Sequence, residues 1–487
     1  MHSDDGIVAH ATAATVSAKP GTVPQCHKVI DEQSRQIDSL VLQVSLLREQ
    51  MALLQERLKL DSRNSSKPPS SDGPGGGNRT QRRASARKRG AQKGHPGAFR
   101  ELLPAAEVGA VHECAPPPVC ECGGAVAARG KPLRHQVFDV PPVVRPQVQE
   151  YRLYSGVCIV CGREHRAALP AGVPSGQIGP RALALVGVLG TRYHLTQFKI
   201  RDLLAQLMGV DFSVGAISQA HGKVAAALKA PVAAAMATLG QAPVVHMDET
   251  RYPREGSTGS ANWVWAAIQP RLAVFTVLPS RARYVIHDLI GKAPGGVIVS
   301  DRYAAYAYID PQQRQVCWAH LLRDFNRIGQ RQGMPGRIGQ RLLGLGYVMF
   351  RWRERGMSST EQFEPLQRRL RQALQAGVMQ TQCTRTAKTC ANVLALWPAL
   401  WGFISHPGVE PTNNAAEQAL RGIVLKRKIS GPTRSRRGDE FIANGFSAYE
   451  SCRRQGRDFI DYMRSAVLAW IDKAVPPSLV VQPVPTG

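Results

Sequence analysis

Three carboxylates stand where they could do phosphoryl-transfer chemistry. Asp248 closes an apolar run, Val244-Val245-His246-Met247, and Asp301 closes another, Val297-Ile298-Val299-Ser300. Both runs read as short buried β-strands that deliver an acidic side chain at their exit. The third carboxylate, Glu417, lies in Thr412-Asn413-Asn414-Ala415-Ala416-Glu417-Gln418-Ala419-Leu420-Arg421, which reads as a helix opening with Thr412 as its cap. Carboxylates are hard oxygen ligands suited to Mg²⁺ or Mn²⁺. Two strand-end aspartates and a helix glutamate can hold a pair of such ions for in-line phosphoryl transfer. Other glutamates fit less well. Glu249 follows Asp248 directly, so on a strand it projects from the opposite face. Glu410 precedes Pro411, which disfavours helix, and Glu440 follows a basic loop.

The surrounding elements must bring these residues together. A polar turn over 251–260 separates the Asp248 strand from two more strands, at 262–268 and 273–278. A helix over 281–290 then leads into the Asp301 strand. A helix over 303–309, a short strand at 315–317 and a helix over 318–328 follow. Three strands, a helical crossover and a fourth strand form the order of an RNase-H-like sheet, in which the first and fourth strands are neighbours. Residues 241–328 are thus the first part of an RNase-H-like core. Residues 329–408 read as a helical insertion, with amphipathic stretches at 342–353 and 364–376, and 409–475 as the second part of the core, carrying Glu417. Residues 476–487 form a tail. The expected class is multidomain α/β.

Upstream, four segments can be separated. Residues 1–26 are rich in Ala, Thr, Ser and Pro and read as disordered. In 27–62, Ile30, Ile37, Val44, Met51 and Leu58 alternate with Leu40, Leu47 and Leu54 in a seven-residue repeat. This a/d seam predicts a parallel two-stranded coiled coil, and hence a homodimer or higher assembly. The alternative is an amphipathic helix packed on its own domain. Residues 63–104 form a flexible linker with Arg82, Arg83, Arg87, Lys88 and Arg89, able to grip phosphates without reading sequence. In 105–172, Cys120-Glu121-Cys122-Gly123 and Cys158-Ile159-Val160-Cys161-Gly162 form two knuckles, with strand-like stretches at 136–142 and 147–154 between them. Cys120, Cys122, Cys158 and Cys161 could hold one structural Zn²⁺, with Cys114 or His112 as a substitute ligand; free thiols are the alternative. Residues 178–240 are helical. The pair 198–208 and 214–224, joined by a Gly209 turn, has the outline of a DNA-binding helix-turn-helix, an outline that Ala-rich helical packing also produces.

The chain of 487 residues carries a formal net charge of +26, so nucleic acid is the first expected partner. Arg421, Lys426, Arg427 and Lys428, just after Glu417, are candidate phosphate contacts, as are Arg434, Arg436 and Arg437. His320, Arg323 and Arg327 share one helix face, either turned to DNA or simply solvated. No apolar run approaches the roughly 18 residues of a membrane span, and Met1-His2-Ser3-Asp4-Asp5 lacks the form of a signal peptide. A cytoplasmic protein associated with the nucleoid is expected, its ten cysteines outside any disulfide framework.

At these residues the chain resembles a transposase of the insertion-sequence sixty-six family, a DDE-type group with an RNase-H-like core. The resemblance runs through Asp61 to Asp72, the two cysteine pairs, His246 to Thr250, Ser300 to Tyr306, Cys317-Trp318-Ala319-His320, Asn413 to Arg421 and Lys426-Arg427-Lys428. It implies that Asp248, Asp301 and Glu417 are the Mg²⁺-binding triad and that the cysteine segment is zinc-finger-like. It also implies cleavage at terminal inverted repeats, strand transfer into target DNA, and accessory proteins encoded by the same element. The chain departs from the family in its C-x-C first pair and in the segment 429–439. A structure-specific nuclease, or a zinc-containing DNA-binding regulator with an inactive core, is the alternative.

Overall fold

The computed structural model describes residues 102–127, 130–138, 144–255 and 262–480, with isolated helical positions between 32 and 40. Most of the coiled-coil segment and of the basic linker, including Arg82, Arg83, Arg87, Lys88 and Arg89, lies outside the described residues. Of the heptad seam, Ile37 and Leu40 are helical and exposed in the single chain.

Both cysteine knuckles form. Gly123 (φ 87°) and Gly162 (φ 68°) take the left-handed conformation, and their amides donate to Cys120 and Cys158 carbonyls at 2.8 and 2.9 Å. The described parts of the two stretches expected as strands between the pairs are irregular. The hairpin instead brackets the second knuckle: β1 (Ser155–Val157) pairs antiparallel with β2 (Glu164–Arg166). The tight turn at Cys158-Cys161 sets that register.

Three helices follow: α1 (Pro180–Thr191), α2 (Gln197–Met208) and α3 (Val214–Ala237). Thr196 caps α2, Gly209 ends it in the left-handed conformation (φ 63°), and Ser213 caps α3. The helix-turn-helix outline is therefore present in the backbone. However, α3 buries Ile217, Ala220, Val224, Leu228 and Val232 in one core with α1 and the sheet. Its other face, with Gln219, Ala226, Ala230 and Ala233, is exposed along the length of the helix. The helical stretch Val214–Gln241, with a mean hydropathy of 1.2, is long and apolar enough to cross a membrane by length and composition; here its apolar face is core.

The central sheet contains β3 (Val244–Arg251), β4 (Trp263–Ile268), β5 (Ala273–Leu278), β6 (Val297–Ser300) and β7 (Arg314–Val316). Its order is β5-β4-β3-β6-β7, antiparallel across β3, β4 and β5 and parallel across β3, β6 and β7. The first and fourth strands of this sheet are thus neighbours, as the sequence order predicts. Helix α4 (Arg283–Ile290) makes the crossover that parallel pairing requires. Gly296 admits β6 to its place, because a Cβ there would stand 2.2 Å from the Ala242 carbonyl oxygen.

After β7 come α5 (Trp318–Gly329), α6 (Gly333–Glu354), α7 (Thr360–Met379), α8 (Thr384–Ala395) and the short α9 (Gly402–Ser405). Helices α6 to α9 occupy the expected insertion. The chain returns through α10 (Asn414–Ser430), α11 (Arg436–Gln455) and α12 (Phe459–Ile471). Asn413, not Thr412, is the N-cap of α10. Helix α11 lies along the edge strand β5 and satisfies its free backbone. Ser447 accepts from the Phe275 amide at 2.8 Å, and Ser451 accepts from the Ala273 amide at 3.0 Å while donating to its carbonyl at 3.1 Å. An edge covered this way cannot recruit a further strand.

Candidate active site

Parallel pairing of β3 with β6 sets the geometry of the two aspartates. Val244 pairs with Val297, Val245 with Ile298 and His246 with Val299. Continuing that register by two residues puts Asp248 level with Asp301. The side chains of residues at one level of a parallel pair leave the sheet on the same face. The Asp301 carboxylate accepts the Tyr303 amide at 2.9 Å, and Arg314 donates to the Asp301 carbonyl at 2.6 Å. The strand exit is thereby held in a fixed turn.

Glu417 arrives on the first turn of α10. Asn413, just before that helix, ties it to the strand. Its amide nitrogen donates to the Met247 carbonyl at 2.7 Å, its oxygen stands 3.2 Å from His246 Nδ1, and its backbone N–H reaches Cys317 Sγ at 3.2 Å. Burial drives the His246 imidazole down to about 4, so it is neutral at pH 7 and suited to this hydrogen bond. Leu420, one turn after Glu417, is buried. In the sequence, only the spacing of four between Asn413 and Glu417 hints at this tethering role.

The Asp248 carboxyl feels the other acidic groups around it. Burial pushes the Asp248 carboxyl well above the usual carboxylate range, and the like charges of Glu249, Glu417 and Asp301 push it further. Hard oxygen donors crowded with excess negative charge fit a divalent cation, which would relieve that repulsion. Glu249 has separate partners on the other face of β3. Arg281 donates to it at 2.6 Å, and the Tyr306 hydroxyl lies 3.2 Å away. Arg281 is itself held over the rings of Tyr303 and Trp263, at 3.9 and 4.9 Å from their centroids. Glu410 and Glu440 are exposed, near Arg353 and Arg436 respectively.

His320 does not face outward as a simple DNA contact. Its Nε2 stands 3.3 Å from Glu417 Oε1, and Arg323 stands 3.9 Å from the same oxygen. Among the described residues, Cys317, His320 and Glu417 form a group whose metal-ligating atoms all lie within 4.8 Å of one another. The knuckle cysteines are not gathered into such a group. All four thiols are free, and the neighbouring thiol of its own pair helps hold Cys122 and Cys158 below the ordinary thiol range.

The basic residues after Glu417 divide. Arg421 and Lys428 are exposed, and Arg427 donates to the Arg251 carbonyl. Lys426 corrects the expectation of a phosphate contact. Its side chain is buried, with Nζ donating to the Leu195 carbonyl at 2.7 Å, so no phosphate reaches it in this fold. Its place on the inner face of α10, against the α1–α2 connection, is the reason. Arg434 pairs with Glu255, Arg436 with Glu440, and Arg437 reaches Ser218 at 3.3 Å. Asp439, buried, binds Arg254 and the Thr433 hydroxyl and so pins the basic loop to the β3–β4 connection.

The model of the Transposase IS66 family matches residues 175–440, more than half of the chain, from α1 into α11. A model of a family of unknown function (DUF6444) matches residues 21–101. No curated protein matches. The matched span contains the sheet, the helical insertion, all three carboxylates and the Cys317–His320 pair, and the chain therefore belongs to the IS66 transposase family, whose members act on DNA.

Proposed function

We propose that this protein is a DDE-type transposase with an RNase-H-like core that cleaves DNA at insertion-sequence ends and joins those ends to target DNA. The observation that carries the reading is the register of β3 and β6, which sets Asp248 level with Asp301 while α10 brings Glu417 close enough to raise the Asp248 carboxyl. The sheet order, with its first and fourth strands adjacent, supports the RNase-H-like assignment.

In this reading Asp248, Asp301 and Glu417 hold Mg²⁺ or Mn²⁺. When bound, such ions activate a water or a 3′-hydroxyl and stabilise the leaving oxygen. The chain's own groups do the positioning. Asn413 locks the start of α10 to β3 and so sets the distance of Glu417 from Asp248. Arg281 neutralises Glu249 and leaves Asp248 as the carboxylate of β3 available to a cation. Arg421, Arg427 and Lys428, with Arg82, Arg83, Arg87, Lys88 and Arg89 from the linker, contact phosphates and fix the duplex without reading its sequence. Cys120, Cys122, Cys158 and Cys161 close on a structural Zn²⁺, and the 27–62 coiled coil pairs two chains so that two DNA ends can be held together.

A supercoiled plasmid bearing the element's terminal inverted repeats, incubated with the protein and Mg²⁺, tests the proposal. Joined products are expected. Cut but unjoined ends would identify a nuclease, and a bound complex without either product would identify a regulator. Glu417→Gln should abolish cleavage and joining with affinity for end DNA nearly unchanged, while Glu410→Gln and Glu440→Gln should stay active. Normal joining by Glu417→Gln would refute the triad.

A further inference from the structure

The group at the start of α5 has a chemistry that Mg²⁺ catalysis does not use. Cys317 and His320 lie three residues apart where α5 begins, so thiol and imidazole project from one side. Glu417 meets them from α10, and the three ligating atoms lie within 4.8 Å of one another. The gap of 3.3 Å between His320 Nε2 and Glu417 Oε1 matches the edge of a tetrahedral shell, since bonds of about 2.0–2.1 Å set two such ligands about 3.3 Å apart.

We propose that Cys317, His320 and Glu417 form a binding site for a thiophilic divalent cation of the zinc type, which shares Glu417 with the carboxylate set. The donor types select the ion. A thiolate and an imidazole favour zinc over magnesium, whereas Asp248 and Asp301 offer only hard oxygen. Charge also closes. Loss of the Cys317 proton to solvent gives a thiolate, and thiolate plus carboxylate cancel a doubly charged ion in a site where Cys317 is fully buried. Three protein ligands leave the fourth tetrahedral position open. Arg323, 3.9 Å from the same glutamate oxygen, competes with the ion. Sharing Glu417 makes the site inhibitory: a zinc ion here withholds that carboxylate from Mg²⁺. The inhibition rests on the catalytic role proposed for Glu417; the binding does not.

Titration of the full chain with cobalt(II) chloride, followed by absorbance, tests the binding without DNA. The knuckle cysteines contribute a background common to all variants. Cys317→Ser keeps a group that accepts the Asn413 N–H, yet it should lose a thiolate-to-cobalt charge-transfer component and one equivalent of bound metal. His320→Gln should weaken the same component by about tenfold or more, and Asp301→Asn should leave it in place. Identical spectra and stoichiometry for wild type and folded Cys317→Ser would overturn the site. If Cys317→Ser does not fold, unchanged cobalt affinity in His320→Gln overturns it instead. In the plasmid assay, stoichiometric zinc should suppress Mg²⁺-dependent cleavage by wild type and spare Cys317→Ser; equal suppression of both would overturn the sharing. Failure of the catalytic reading shows separately, as no cleavage by untreated wild type, and leaves the cobalt result standing.

Discussion

Lys426→Met should stabilise the protein at pH 7 and leave DNA affinity unchanged. Burial lowers the Lys426 ammonium from its ordinary value of 10.5 to about 8, because an ion inside the fold loses hydration that one carbonyl hydrogen bond does not restore. Each tenfold change in proton affinity corresponds to about 1.4 kcal/mol, so below pH 8 the folded state bears a cost of about 3 kcal/mol. Methionine has a similar length and no charge. It forfeits the hydrogen bond to the Leu195 carbonyl, worth about 1 kcal/mol, for a net gain of about 1–2 kcal/mol. The sign follows from linkage. Between pH 8 and 10.5 the unfolded lysine binds more protons than the folded one, so wild-type stability should rise with pH across that window. The variant lacks that rise, so the gap should close near about pH 9–9.5 and then reverse, leaving wild type about 1–2 kcal/mol more stable at the upper end. Urea unfolding at a series of pH values measures the gap, and a DNA-binding titration runs beside it. A variant less stable than wild type at pH 7 and weakened in DNA binding would refute the buried placement of Lys426.

Gly296→Ala should destabilise by about 2 kcal/mol or more, since its Cβ meets the carbonyl oxygens of Ala242 and Pro243 at 2.2 and 2.4 Å; a lower urea midpoint at unchanged slope is the expected result. Metal analysis of purified protein should find about one zinc per chain at the knuckles, lost in Cys158→Ser/Cys161→Ser, and full DNA affinity without zinc would identify ordinary thiols. Lysines at Ile37 and Leu47 would place charge in the heptad seam at a cost of several kcal/mol, so light scattering should report a smaller species. An unchanged mass removes the coiled coil.

Local signals in the chain were enough to place much of this protein. Continuous apolar runs ending in Asp248 and Asp301, the crossover between them and the helix around Glu417 all depend on residues near in sequence. They fix element type, and with it the neighbouring of β3 and β6, because a strand, a helical crossover and a parallel strand have few ways to pack. The length of chain between Asp301 and Glu417 likewise announced the helical insertion. The fate of individual polar groups was decided elsewhere. Lys426 sits in a basic cluster by sequence, but the turn of α10 points it inward, onto a carbonyl 231 residues away in the chain. His320 looks like one member of a basic helix face, yet its imidazole meets Glu417, 97 residues on. Asn413 holds a strand 166 residues upstream. In the described residues 136–138 and 147–154, strand-like composition likewise yielded to the knuckle turn, which placed the hairpin at Cys158–Cys161. Periodicity encodes which face of an element is apolar. Which partner waits for each polar side chain on the remaining face depends on how distant elements pack, and that is settled only when the core closes.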